Sequence, residues 1–211
     1  LLGMLLIIFS FSKLSLILLN FILFWCGISF LTLGIAYISL GAKVFGKNKN
    51  GKISKLSFSL LLPYLLLTWT VWHIQRLISK EDCCNQIVTG IWLGRRPYIN
   101  ELPNNISLIV DLTAEFSEPT NLISGKTYIC IPTLDTLVPN KHVFHELIIK
   151  IANWKGNVYI HCALGYGRSA TVVAGVLIAK GLVNNFEEAE KLLKPARPKI
   201  KFSQAQRKLL N

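Results

Sequence analysis

Apolar residues follow two different patterns along the chain. From Leu14 to Ala42 there are 29 residues without a charge, enough at about 1.5 Å per residue to cross a hydrocarbon layer of about 30 Å with tilt to spare. This run predicts a transmembrane helix; a cleaved signal peptide is the rival, but the run exceeds an h-region of about 7–15 residues. Leu1 to Ser12 is also apolar, yet too short to span alone. A second run, Leu56 to Ile74, holds 19 residues and just reaches spanning length. Pro63 predicts a kink in it, and Tyr64, Trp69 and Trp72 are of the type that settles at a membrane interface. It either spans or lies as a re-entrant or surface helix.

Beyond residue 80 the apolar positions become periodic and short. Ile87 to Gly94 reads as an edge strand with a turn, and Ile106 to Leu112 as a buried parallel strand with Asp111 near its end. Thr127 to Pro132 reads as a further strand that Pro132 stops. The segment Lys141 to Trp154 predicts a helix with Val143, Leu147 and Ile151 on its inner face. Asn157 to Ile160 is a strand, and Thr171 to Leu182 a nearly all-apolar helix. Asn185 caps a short helix with acids in its first turn. Lys194 to Pro198 reads as a rigid basic linker, and Ser203 to Leu210 as a last helix. The domains expected are a membrane region, 1–80, and a catalytic domain, 81–211.

Charge sharpens this division. Residues 1–80 carry eight basic and no acidic side chains, whereas 81–211 carry fifteen basic and eleven acidic, an ordinary globular mix. Five lysines fall between Lys43 and Lys55, and the positive-inside rule assigns such a loop to the cytoplasm. If Leu56 to Ile74 then spans, the catalytic domain lies outside. The five cysteines, odd in number and including the vicinal pair Cys83 and Cys84, do not form a disulfide framework and favour a reducing compartment. Lys191, Lys194, Arg197, Lys199, Lys201, Arg207 and Lys208 suit an anionic cytoplasmic leaflet, as they would any solvated helix face. On these grounds an integral membrane protein with a cytoplasmic catalytic domain is expected. Nucleic acid is not an expected partner, because the lysines crowd beside apolar spans without interleaved aromatics.

Candidate chemistry concentrates in His161-Cys162-Ala163-Leu164-Gly165-Tyr166-Gly167-Arg168-Ser169-Ala170, a tight loop between the strand at 157–160 and the helix at 171–182. Amides at a helix start lack partners within the helix, and the helix dipole adds attraction for an anion. Gly165 and Gly167 are expected at positive φ, curling those amides inward. The same field favours thiolate over thiol at Cys162, making it a candidate nucleophile. Arg168 supplies a planar fork for two phosphate oxygens, and Ser169 a hydrogen-bond donor to a departing sulfur. A buried cysteine beside a glycine turn is the plainer alternative for the thiol alone.

The stretch resembles the signature of the cysteine-dependent protein tyrosine phosphatase superfamily, in its dual-specificity branch and its bacterial-type, membrane-anchored form. The resemblance covers roughly residues 86–211. It implies an α/β fold, with a central, mostly parallel sheet flanked by helices, here preceded by the transmembrane helices. It implies Cys162 as nucleophile, Arg168 as phosphate clamp, Ser169 as leaving-group helper and His161 as support for a phosphate-binding loop of Ala163, Leu164, Gly165, Tyr166 and Gly167. Asp135, in an Ile-Pro-x-x-Asp pattern 27 residues before Cys162, is similar in place to the general acid of the family; otherwise it is a turn or cap residue for the next helix. Asp111 is expected to bind local backbone N–H groups, Glu115 and Glu118 are candidate substrate-loop carboxylates, and Arg95 and Arg96 either steer an anion or are simply solvated. No metal-ligand spacing is present, and no cofactor is expected.

No cation lies between Cys162 and Arg168, which argues for a singly phosphorylated group. The expected activity is hydrolysis of phosphotyrosine, phosphoserine or phosphothreonine on protein through a phosphocysteine. The alternatives are a lipid phosphomonoesterase acting on a phospholipid head group such as phosphatidylglycerophosphate, or an inactive phosphate-binding relative.

Overall fold

The computed structural model describes residues 1–11 and 17–210. It divides into two compact units, 1–48 with 52–79, and 49–51 with 80–211.

In the first unit, helix α1 (Leu2–Ser10) precedes helix α2 (Ile17–Ile35). The path of α2 continues through a π-helical turn, Ala36–Leu40, and a 3₁₀ turn, Gly41–Phe45. The start of the predicted run at Leu14 lies outside the described residues. Helix α3 (Lys55–Ile78) is capped by the Ser54 side chain, which accepts from Ser57 N, and runs through Pro63. Its 24 residues exceed the predicted 19, because Lys55 opens the helix and Gln75, Arg76, Leu77 and Ile78 continue it beyond the apolar run. The stretch from Ile17 to Phe45 and helix α3 are both long and apolar enough to cross a membrane. Trp72 is buried at 2% exposure.

The second unit is a five-stranded mixed sheet flanked by helices, in the order β1-β2-β5-β3-β4. Strands β1 (Cys84–Val88) and β2 (Ile91–Arg95) form an antiparallel hairpin, turned at Gly90 with φ 82°. Strands β3 (Ile106–Thr113), β4 (Thr127–Thr133) and β5 (Asn157–Cys162) are parallel to one another and to β2. Pro132 therefore does not end its strand. Strand β4 is the sheet edge, where a missing N–H costs no ladder bond.

Alternation along β5 assigns its two faces. Val158, Ile160 and Cys162 join the main core with helices α5 (Lys141–Ala152), α6 (Arg168–Ala179) and α7 (Phe186–Ala196), whereas Tyr159 joins the opposite cluster with Ile106, Ile109 and Leu122. The last of these belongs to the short helix α4 (Thr120–Ile123). Helix α5 buries Phe144, Leu147, Ile148 and Ile151, with Val143 at 38% exposure, so the inner stripe lies one residue away from the expected start. Helix α6 ends at Ala179, before Leu182, and α7 continues past Pro195. Proline in a last turn is tolerated when the carbonyl four residues back is satisfied elsewhere or solvated. Asn185 caps α7 as expected, accepting from Glu188 N. The final helix, α8 (Gln204–Leu210), follows Ser203, whose hydroxyl accepts from Gln206 N at 3.2 Å.

Candidate active site

The loop that connects β5 to α6 brings Cys162, Arg168 and Ser169 together in a closed space. All three are buried, Cys162 at 3% and Arg168 at 4% exposure. Cys162 Sγ accepts a hydrogen bond from Gly165 N at 3.3 Å and lies 3.3 Å from Ser169 Oγ. A backbone amide and a hydroxyl oxygen therefore both lie within hydrogen-bonding distance of the one sulfur. Gly165 has φ 80°, and a Cβ there would meet the Gly94 carbonyl carbon at 2.6 Å, so both the turn and the close approach to β2 require glycine. Gly167 differs from expectation. Its φ is −118°, in the N-cap position of α6, and left-handed backbone is confined to Gly165 within the loop.

Arg168 is fixed from two directions. Its Nη1 donates to Glu115 Oε2 at 3.0 Å and to the Thr133 carbonyl at 2.8 Å, and its Nη2 donates to Glu115 Oε1 at 2.7 Å. Burial works against the guanidinium charge, but the Glu115 carboxylate outweighs it and holds the Arg168 pKa well above its ordinary value. A guanidinium has five N–H donors. Three are committed to Glu115 and Thr133, which leaves Nε–H and the second Nη2 proton as a two-pronged donor for an oxyanion. Asp135 Oδ1 is 3.4 Å from Nε, and its side chain is 69% exposed. Glu115 is thus an arginine-holding group, not a substrate-loop residue. Sequence spacing gave no sign of this, since 53 positions separate the pair.

The neighbouring charges serve the scaffold. Arg96 donates from Nε to Glu118 Oε1 at 2.7 Å and from Nη2 to the Ser117 carbonyl at 2.9 Å, and its backbone N–H donates to Ala163 O at 3.2 Å. Arg95 forms a two-pronged pair with Glu101, at 2.7 and 3.0 Å. Neither arginine is simply solvated. Asp111 accepts from Thr113 N at 2.8 Å, the local bond expected for it.

The C-terminal segment closes the site. Arg197, expected in a linker, is 1% exposed; it donates to Asp82 O at 3.1 Å, to Asn85 Oδ1 at 2.8 Å and to Leu164 O at 3.1 Å. Its guanidinium lies 5.4 Å from the Tyr166 ring centre. Lys201 N donates to Tyr166 O at 3.2 Å, Ser203 Oγ to Thr136 O at 2.7 Å and Gln206 Nε2 to Leu137 O at 3.4 Å. These bonds anchor both the loop and the segment that carries Asp135.

Of the described residues, Asp111, Glu118 and His161 form one buried group of metal-ligating types, with one donor atom from each within 4.8 Å of the others. Residues on two strands and a loop show no linear spacing. The carboxylates already accept from Thr113, Tyr128 and Arg96, a setting that suits a hydrogen-bonded charge network better than a cation site.

Residues 91–211 match the catalytic domain of dual specificity phosphatases, more than half of the chain. No curated protein matches. Of solved structures, PTPMT1 is similar with TM-score 0.54 and 24% identity, covering 60% of this chain and 90% of that chain. Tk-PTP in the active form has TM-score 0.52 and 23% identity, covering 60% and 92%. DUSP15 has TM-score 0.52 and 25% identity, covering 61% and 85%. The buried thiol, the braced arginine after it and the family match agree, and the chain belongs to the dual specificity phosphatase catalytic-domain family as a cysteine-based phosphatase.

Proposed function

We propose that this is a membrane-anchored phosphatase that hydrolyses phosphomonoesters on protein in two steps through a phosphocysteine. The carrying observation is the convergence of the Gly165 amide and the Ser169 hydroxyl on Cys162 Sγ, next to an arginine whose remaining donors are pre-aimed by Glu115. In the first step the thiolate attacks phosphorus and the ester oxygen departs, with Arg168 gripping the equatorial oxygens as charge builds. Asp135, exposed at the mouth and close to Arg168, protonates the departing oxygen. In the second step water displaces the sulfur, which leaves as a thiolate stabilised by Ser169. His161 and the backbone of Ala163, Leu164, Gly165, Tyr166 and Gly167 shape the phosphate pocket.

Anchoring is supported by the two helices of membrane-crossing length, and the lack of a disulfide among the five cysteines is compatible with a cytoplasmic catalytic unit. The same two helices favour a second reading, a phospholipid head-group monoester as substrate, since they would hold the pocket at a lipid surface. PTPMT1 has been seen in complex with PI(5)P, so a related fold admits a lipid head group. The absence of cations between Cys162 and Arg168 suits a single phosphate in either case.

Phosphate release from a phosphotyrosyl peptide and from phosphatidylglycerophosphate, measured side by side with the full chain in micelles, separates the two readings. Faster turnover of the peptide is expected; exclusive turnover of the lipid replaces the first reading with the second. A Cys162→Ser variant that still hydrolyses an aryl phosphate removes the covalent mechanism altogether.

A further inference from the structure

The lysine-rich turn that precedes α3 has three of its residues, 49–51, folded with the catalytic unit. Lys52 N donates to Asn48 Oδ1 and Asn48 N to the Lys52 carbonyl, both at 2.9 Å, so the tip is closed on itself. Gly51 stands at that tip with φ 74° and is buried. Its carbonyl accepts from Glu118 N at 2.9 Å. A Cβ on Gly51 would meet the Tyr128 hydroxyl at 2.5 Å and Glu118 Cβ at 3.1 Å. Backbone in a left-handed conformation, this close to its neighbours, admits only glycine without rearrangement.

The loop under this tip leads to the pocket. Glu118 follows shortly after Glu115, whose carboxylate accepts from Arg168 at 2.7 and 3.0 Å. Arg96 holds the same loop by donating from Nε to Glu118 Oε1 and from Nη2 to the Ser117 carbonyl, with its guanidinium 5.2 Å from the Phe116 ring centre. Its backbone N–H donates to Ala163 O, in the loop of Cys162. Glu118 lies between β3 and α4, where neither element supplies a partner for its N–H. The Gly51 carbonyl does, and completes the set of bonds that fixes 115–118.

We propose that Gly51 is a positioning residue for phosphate binding: the tip of the lysine-rich turn straps the 115–118 loop in the place from which Glu115 aims Arg168. The proposal rests on Arg168 being the phosphate clamp. The strap has a consequence for the membrane region, because the catalytic unit includes chain on both sides of α3, 49–51 before it and Lys80 onward after it. One folded unit cannot straddle a hydrocarbon layer, so the turn and the pocket share one side of the membrane. Helix α3 starts and ends on that side, although its length and composition would allow it to cross. The five lysines between Lys43 and Lys55 assign that side to the cytoplasm.

Two glycines serve as a matched pair in the full chain in detergent micelles. Gly51 and Gly125 have nearly the same φ, 74° and 72°, but a Cβ at Gly125 meets nothing within 4 Å. Gly51→Ala is expected to lower kcat/KM on an aryl phosphate about tenfold and to weaken vanadate binding by a similar factor, as a misaimed guanidinium loses about one hydrogen bond to the anion. Gly125→Ala carries the same backbone strain and is expected to stay within about twofold of wild type in both. A purely structural role lowers the thermal stability of both variants and leaves vanadate affinity in place. Equal kcat/KM and equal vanadate affinity in folded Gly51→Ala and Gly125→Ala overturn the proposal. Where Gly51→Ala does not fold, sidedness decides. Lys49→Cys and Lys150→Cys, both at exposed positions, are labelled with a membrane-impermeant maleimide in sealed vesicles of uniform orientation and read by peptide mass spectrometry. Labelling of both from one side supports the strap, and labelling from opposite sides overturns it. A wrong clamp shows separately: Arg168→Lys then keeps the vanadate affinity of wild type, which removes the clamp and the proposal with it whatever the Gly51 variant does.

Discussion

Arg168 lies between two acidic loops that the fold treats in opposite ways. After β3, Glu115 is buried, 7% exposed at its side chain, and grips the guanidinium with both oxygens. After β4, Asp135 is 69% exposed and only approaches Nε, at 3.4 Å. A carboxylate sealed in with its partner keeps its charge and holds geometry. One at the mouth, open to solvent, is placed where a leaving group could reach it. In the proposed mechanism the two loops thus separate holding from proton transfer, although residue type alone does not distinguish them.

Exchanging either carboxylate tests this division. The largest effect is expected for Asp135→Asn on a seryl phosphate, a loss of about 10²–10⁴ in kcat. With an aryl phosphate whose leaving group needs no proton the loss should shrink to near nothing. Steady-state kinetics on the two substrates checks this, and equal losses on both would deny Asp135 its role. Glu115→Gln is expected to lower kcat/KM by roughly 10²–10³-fold, as breaking a buried pair costs about 3–5 kcal/mol. That loss should not depend on the leaving group, and vanadate binding and thermal stability should weaken with it. Ser203→Ala removes the bond to Thr136 O and is expected to cost about fivefold in kcat on poor leaving groups, for roughly 1 kcal/mol. The smallest signal concerns a different thiol. The hydrogen bond from Cys84, helped by Arg95, holds the Cys83 pKa below its usual value despite burial, while Cys84 is pushed well above its own. Peptide mapping after brief alkylation near neutral pH should therefore show Cys83 labelled ahead of Cys84.

How much of this could be read from the chain depends on whether partners are near in sequence. The strand, the tight loop and the apolar helix around Cys162 were legible because each is a local pattern of periodicity and glycine. So were the parallel character of β3 and the Asn185 cap. Glu115 was seen, but its partner lies 53 residues away, and no spacing rule reaches that far. Arg197 looked like part of a linker because Pro195 and Pro198 flank it, yet its contacts with Asp82 and Asn85 span 115 and 112 positions. Pro132 and Pro195 were misread for the same reason. Whether a proline breaks an element depends on edge position and on the last turn of a helix, and both are tertiary facts. Gly165 and Gly167 look alike in sequence, but only Gly165 must lie against the Gly94 backbone.

The bonds from Arg197 to Leu164, from Lys201 to Tyr166 and from Ser203 and Gln206 to the Asp135 segment carry a consequence for biosynthesis. A ribosome delivers Cys162 well before the residues that brace its loop and steady the Asp135 segment. A nascent chain halted between 169 and 196 would already contain the sulfur and the guanidinium, yet lack the straps that keep the pocket in shape. Hydrolytic power should therefore appear only once α8 has been synthesised and has docked.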